Sequence, residues 1–356
     1  MDNLETAKLP EIQGKTDAGS LYQAELEALV RSLGQPSYRA AQIYGWLHEK
    51  RVSSFAEMTN LPASLREKLE QTAALPEAKT EARQISKADG TQKFAFRMVD
   101  GQVIESVFMP YRHGNSVCIS SQAGCAMGCR FCASAIGGLK RSLTASEMLA
   151  QVYRIGAETG ERISNVVVMG TGEPLDNYDS LLRFIRILTD EKAGGISQRS
   201  VTVSTCGLVP RIRRLAEEKL QITLALSLHA PDDALRRTMM PVAERYTVKE
   251  TVEACDYYFE TTGRRVSYEY ALIAGVNDTE EAADRLIRLL SGRNCHVNLI
   301  PVNPVTERNY RKSSRARADG FKFRLEKCGI NATIRRGMGA DIDSACGQLR
   351  RRFSEE

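Results

Sequence analysis

Long apolar runs are missing from this 356-residue chain, and with them any segment that reads as a membrane-spanning helix. The first residues, Met1-Asp2-Asn3-Leu4-Glu5, lack the basic-then-apolar pattern of a signal peptide, which points to the cytoplasm. A disulfide framework is also missing. The nine cysteines are an odd number in a large chain, and they read as thiols of a reducing compartment. Strong charge of one sign is absent: a net charge of +5 marks a nucleic-acid partner only where the basic residues cluster. There is no internal repeat or low-complexity stretch beyond a strand–helix rhythm. What remains, with 42% hydrophobic residues, is a globular chain able to bury one large core and a smaller one.

The rhythm divides the chain. Residues 1–19 are polar and aperiodic and read as a loose arm. Residues 20–78 hold three segments, 21–33, 38–50 and 63–75, with apolar residues at three- and four-residue steps, as in Leu26, Leu29, Val30 and Leu33. Pro36 and Pro62 separate them, so this is a small helical domain. In 79–112 two β-rich runs, 93–98 and 103–108, flank Val99-Asp100-Gly101, a hairpin signal. From 113 to 349 apolar strands (116–121, 164–169, 200–204, 221–227, 265–271, 295–300) alternate with amphipathic helices (144–158, 178–190, 209–218, 248–261, 279–291, 314–327). That alternation predicts an α/β fold of parallel strands with crossover helices. Six units are too few for a closed eight-unit barrel. Residues 350–356 form a basic tail.

The densest chemistry is Gly124-Cys125-Ala126-Met127-Gly128-Cys129-Arg130-Phe131-Cys132. Structural zinc takes four ligands, and no further Cys or His follows at a usual spacing. Three thiolates on one short loop suit three irons of a 4Fe–4S cube, leaving one iron open to a small molecule. Gly170-Thr171-Gly172-Glu173 follows an apolar strand, where paired glycines allow a ligand close to the backbone, and Pro174-Leu175 excludes a dinucleotide fingerprint. These motifs, with Ser204, Ser227-Leu228-His229 and Asn303, fall at or just after strand ends, where barrels place their chemistry. Taken alone, His229 reads as a strand-end histidine satisfied by backbone. Cys118 and Cys346 stand outside the cluster spacing, and Cys206, Cys255, Cys295 and Cys328 read as buried small hydrophobes.

In this order, Val117–Gln122, the cysteine loop, Met169–Leu175, Ser227–Pro231, Asn298–Pro304 and Gly339–Leu349 resemble the radical S-adenosylmethionine superfamily. Within it they resemble the bacterial RNA adenine-carbon-2 methyltransferases that act on both 23S rRNA and tRNA. The resemblance implies a partial, open (β/α)6 barrel, an RNA grip in the helical domain, and a hairpin packed on the barrel. It implies a 4Fe–4S cluster on Cys125, Cys129 and Cys132, and S-adenosylmethionine bound by Gly172, Glu173, Ser204, Ser227, Leu228, His229 and Asn303. Two S-adenosylmethionine molecules are consumed per turnover. One methylates Cys346; the other yields a 5′-deoxyadenosyl radical that activates the S-methyl group. By the same resemblance the methylene radical adds to adenine carbon 2, an electron and a proton are lost, and Cys118 resolves the covalent RNA adduct as a transient disulfide with Cys346 forms. Glu105 matches the proton acceptor, and equally fits an exposed strand carboxylate. The expected partners are 23S rRNA at the peptidyl transferase centre, tRNA 3′ of the anticodon and an electron donor such as flavodoxin or ferredoxin; no membrane is involved and the chain acts as a monomer.

Basic clusters at Arg211, Arg213 and Arg214, at Arg236 and Arg237, from Arg308 to Arg317, and at Arg335 and Arg336 either form solvated faces or track a phosphate backbone. Two other functions compete. A related carbon-8 methyltransferase of the antibiotic-resistance type carries Ala where this chain has Pro174, which favours carbon 2. A non-catalytic iron–sulfur RNA-binding protein has no use for Cys118 and Cys346.

Overall fold

The structure, a computed structural model, describes residues 9–349 apart from Glu77, Pro304, Thr306, Asp343, Ala345 and Cys346. Residues 9–19 are not a loose arm. β1 (Glu11–Ile12) and β2 (Lys15–Asp17) form a small hairpin. Asp17 is buried, where its carboxylate accepts from Ser20 and Ser146. The arm's polarity reflects this hydrogen-bonded anchor. The helical domain follows as α1 (Gln23–Ser32), α2 (Arg39–Tyr44), continued by a wider turn at Gly45–Glu49, and α3 (Ala63–Thr72). β3 (Ala73–Ala74) then returns to pair with β2.

Next come β4 (Lys79–Ile85), β5 (Gln92–Arg97), β6 (Val103–Met109) and β7 (Asn115–Ile119). Each pairs antiparallel with the next. The expected hairpin is β5–β6, with Gly101 at φ +81° in its turn. It carries an additional strand, β4, and continues the main sheet as more than a linker. The cysteine loop lies between β8 (Gln122–Ala123) and β9 (Arg141–Ser142), which pair at its base. The repeating units are then α4 (Ala145–Thr159), β10 (Ile163–Val168), α5 (Tyr178–Leu188), β11 (Val201–Thr205), α6 (Val209–Glu217), β12 (Thr223–Ser227), α7 (Asp233–Met239), α8 (Val248–Thr262), β13 (Val266–Leu272), α9 (Glu280–Leu290), β14 (Cys295–Pro301), α10 (Arg315–Lys327) and β15 (Asn331–Ile334). Local signals set the ends. Thr144 with Glu147 and Thr247 with Glu250 form capping boxes, and Gly160 and Gly263 close the same helices in the left-handed region.

The ten long strands lie in one sheet in chain order from β4 to β15, parallel from β7 onward. The order is linear, with no pairing between the outermost strands among the described residues, so the partial barrel is open. β15 is a seventh parallel strand beyond the six expected; its four residues, Asn331–Ile334, are too short to register as periodic. One apolar core runs from Ala18 in the helical part to Ala332 in β15. No helix among the described residues is long and apolar enough to cross a membrane.

The helical domain is fastened by buried polar contacts. Tyr44 donates to Asp190 at 2.9 Å, and Arg183 of α5 pairs with Glu25 while lying over the Tyr22 ring. His48, 1% exposed, sets Nδ1 3.3 Å from the Tyr153 hydroxyl of α4. Burial lowers the His48 pKa to about 4, against a smaller opposing effect of Asp190. A histidine depressed below its ordinary value near 6.5 stabilises the fold only while neutral, so its contribution is lost as pH falls from about 6.5 to about 4. We expect urea-unfolding stability to fall by roughly 2 kcal/mol between pH 7.5 and 5 through His48 alone. His48→Gln should remove that portion of the slope; an unchanged profile in the variant would contradict the assignment.

Candidate active site

The cysteine loop is tied down at its base and along its length. Gly124 has φ +81°, and a Cβ there would lie 2.0 Å from the Gly138 carbonyl, so only glycine lets the two arms meet. Arg130 N donates to Met239 O at 2.9 Å and Ala133 N to Gly347 O at 2.8 Å, seating the loop on α7 and on the C-terminal segment. Met127, Cys129 and Phe131 pack against Cys206, Met239 and Met240. Cys125, Cys129 and Cys132 line one cavity of about 130 Å³. Burial pushes the Cys125 thiol up to about 12 and raises Cys129 as well, so metal loading must displace protons. Among the described residues no three Cys, His, Asp or Glu side chains converge on one point as ligands of a single ion do. A cube has no such requirement, because each thiolate takes its own iron.

The opposite wall comes from the strand ends. Gly172 has φ +107°, and a Cβ would lie 2.6 Å from that of Gln122. Glu173 is buried. Its Oε2 accepts from Cys206 N at 2.7 Å, its Oε1 from Leu175 N at 3.1 Å, and its own N–H donates to Gln122 Oε1 at 2.9 Å. Burial raises its pKa, opposed by these hydrogen bonds. Ser204 and Ser227, on adjacent strands, set their hydroxyls 3.3 Å apart on the same cavity. His229 also lines it, in the left-handed region at φ +59°. Its Nδ1 accepts from Ala271 N at 3.0 Å, and Phe131 meets the ring edge-on. Burial, then the Arg236 charge, lowers its pKa to about 3, so the ring is neutral. Backbone thus satisfies His229, and the residue also lines the cavity. Leu228 does not; it is in the core, and its carbonyl accepts from Arg236.

A second cavity adjoins the first, with Met169 lining both. Cys118, Val107, Met109, Asn303, Lys312, Arg335 and Arg336 line it, together with Ser344 and Leu349. Asn303, expected at the cofactor, is thus placed with Cys118. Cys346 lies outside the described residues, but Ser344 and Leu349 on either side of it border the Cys118 cavity. Glu105 is not an exposed carboxylate: it is 2% exposed and sits 3.3 Å from the Lys93 ammonium, itself 6% exposed. Strand alternation puts Glu105 on the face of Val107 and Met109.

Sequence reasoning missed several participants. Arg236 belongs to no phosphate-binding face, because it is fully buried under the cysteine loop's seat on α7. Cys206 is buried as expected yet lines the first cavity, whereas Cys328 is exposed. Arg211 and Arg214 lie over Tyr178 and Arg213 over Tyr257, on the outer face of α6. Lys93 carried no motif signal at all.

Residues 119–287 match the radical SAM superfamily, and residues 19–75 match the ribosomal RNA large subunit methyltransferase N-terminal domain. A probable dual-specificity RNA methyltransferase RlmN of Lachnospira eligens is 56% identical over 96% of this chain and 97% of its own length. The protein of that name from Lachnoclostridium phytofermentans is likewise 56% identical, over 97% of each chain. The crystal structure of a radical SAM methyltransferase from Sphaerobacter thermophilus superimposes with a TM-score of 0.90 at 45% identity, over 94% of this chain and 99% of that one. The superfamily's 4Fe–4S cluster and S-adenosylmethionine fit a cavity that gathers three thiols, a glycine-lined strand end and paired hydroxyls. By length, identity and fold the chain belongs to the RlmN family of radical SAM methyltransferases.

Proposed function

We propose that the chain methylates carbon 2 of adenosine in 23S rRNA, at the peptidyl transferase centre, and in tRNA, 3′ of the anticodon. The observation that carries this reading is the pair of cavities sharing Met169: one bears the cluster cysteines, the other Cys118, the flanks of Cys346 and three cationic side chains. Adenine carbon 2 is electron-poor, so displacement from a sulfonium cannot methylate it directly. The cluster and S-adenosylmethionine, when bound, supply the methyl group and the one-electron activation that this carbon demands.

The chain's own residues do the rest. Cys125, Cys129 and Cys132 hold the cluster; Gly172, Ser204, Ser227 and His229 shape the cofactor wall, and Glu173 braces it. Cys346 carries the one-carbon unit and becomes bonded to the base through it. Glu105 accepts the proton lost from carbon 2, with Lys93 holding its carboxylate in place; the one electron lost with that proton belongs to the redox chemistry the bound cluster would supply. The Cys118 thiolate then attacks the Cys346 sulfur: an S–S bond forms, the S–CH2 bond breaks, and its electron pair takes up a proton to complete the methyl group. Lys312, Arg335 and Arg336 offer cations to the RNA backbone at the mouth. The adenine must leave its stack, or come from a loop, to enter. A reducing compartment such as the cytoplasm suits both the cluster and the thiols.

Three outcomes follow. Purified without oxygen, the protein should hold about four iron and four sulfide per chain, and the triple Ala variant of Cys125, Cys129 and Cys132 should hold none; retained iron in that variant would refute the ligand set. Cys346→Ala should block methylation of both enzyme and RNA. Cys118→Ala should instead accumulate a nuclease-sensitive protein–RNA adduct on a denaturing gel, and identical behaviour of the two variants would remove the division of roles. Arg336→Ala should weaken RNA binding and flatten the log K against log salt slope by about one, whereas an unchanged slope excludes that residue from the phosphate path.

A further inference from the structure

Arg236 is the largest fully buried side chain among the described residues. Its guanidinium is fixed by main chain alone: Nε donates to Leu228 O at 3.1 Å, and Nη2 to Cys206 O at 2.6 Å and Ser227 O at 3.3 Å. Nη1 is buried with no hydrogen-bond partner among the described residues. Among the described residues no carboxylate forms an ion pair with Arg236. The Asp233 carboxylate, one turn back, acts on Arg236 at a distance, while its Oδ1 accepts a hydrogen bond from Val248 N. The other groups that act on Arg236 electrostatically are thiols, those of Cys206, Cys129 and Cys255.

A buried cation without an anion is costly, and folds retain one only where something pairs with it. The missing anion has one evident source. When Cys125, Cys129 and Cys132 become thiolates on iron, negative charge appears in the cavity that Arg236 underlies. The carbonyls Arg236 grips belong to Cys206, Ser227 and Leu228. Two of these residues, Cys206 and Ser227, line the cavity wall.

We propose that Arg236 is the fixed counter-charge of the iron–sulfur cluster and sets how readily the cluster is reduced. One-electron reduction adds negative charge to the cluster. A buried cation stabilises the reduced form more than the oxidised one, so Arg236 raises the reduction potential. It is a positioning residue in the electrostatic sense, acting through the cluster and not on RNA. The inference rests on the assignment of the cluster to the three cysteines.

The test is a potentiometric titration followed by electron paramagnetic resonance on anaerobically loaded full-length protein, with iron quantified in each sample. At the wild-type midpoint, Arg236→Met should lower the ratio of reduced to oxidised cluster about tenfold, about 59 mV for one electron. Arg236→Lys keeps the charge and should stay within about threefold of wild type. Should Arg236→Met fail to fold, Arg236→Gln, neutral but still a donor to the Leu228 and Cys206 carbonyls, takes its place with the same expected loss. A neutral variant with full iron and an unmoved midpoint overturns the proposal. So does Arg236→Lys shifting as far as the neutral variant, because hydrogen-bond geometry and not charge would then be responsible. Absence of iron from the wild-type protein would instead sink the cluster assignment itself.

Discussion

The Glu173 carboxylate joins three strand ends, and the first cavity is built around that junction. Through its own N–H it is tied to Gln122 after β7, through Oε1 to its own loop after β10, and through Oε2 to Cys206 after β11. A buried carboxylate is unfavourable unless hydrogen-bonded, and here backbone N–H groups supply both partners. Gly170 and Gly172 are consequences of this closure. A Cβ on either would strike the loop after β7, 2.7 Å from Ile119 O in one case and 2.6 Å from Gln122 Cβ in the other. The same compression brings the cysteine loop, which starts at Gly124, against the ends of β10, β11 and β12.

Much of this was legible in the sequence because it is periodic. The helices 144–158, 178–190 and 279–291 were read from apolar spacing, and α4, α5 and α9 fall within two residues of those bounds. The cysteine triad was legible because its chemistry is local in the chain. The failures share a cause: the determining contact is distant in sequence. Asp17 reads as part of a polar arm, but its partner Ser146 lies 129 residues away. Arg236 beside Arg237 reads as a charged face, yet one is buried and the other exposed, a difference that no helix as short as α7 can signal by periodicity. Asn303 follows a strand end as Ser204 and Ser227 do, and β14 places it on the cavity that Cys118 also lines.

Separate cavities suit a chemistry with separate tasks. The activation proposed for the first cavity calls for an apolar setting, and Met127, Phe131, Met239 and Met240 pack together there. The second cavity is instead lined by cations, Lys312, Arg335 and Arg336, as the RNA proposed to enter it would need. Met169 stands between the two and is part of the walls of both. It is an unbranched, polarizable side chain at the end of a buried strand, suited to filling an irregular partition.

The antiparallel extension completes the wall beside Cys118. β6 pairs with β7 so that Val107 lies opposite Cys118. Residues opposite one another in a sheet share a face, and so do residues two apart along a strand. Glu105 therefore faces the same side as Cys118. Lys93, opposite Val107 on β5, shares that side and reaches the Glu105 carboxylate. A barrel that began at β7 would leave Cys118 on an edge strand, with no carboxylate beside it. By adding β4 to β6, the chain makes β7 an interior strand, hydrogen-bonded on both sides, and places an acid and its cationic partner next to the thiol proposed to release the product. What reads in the sequence as a hairpin between two domains is, in the fold, one wall of the candidate active site.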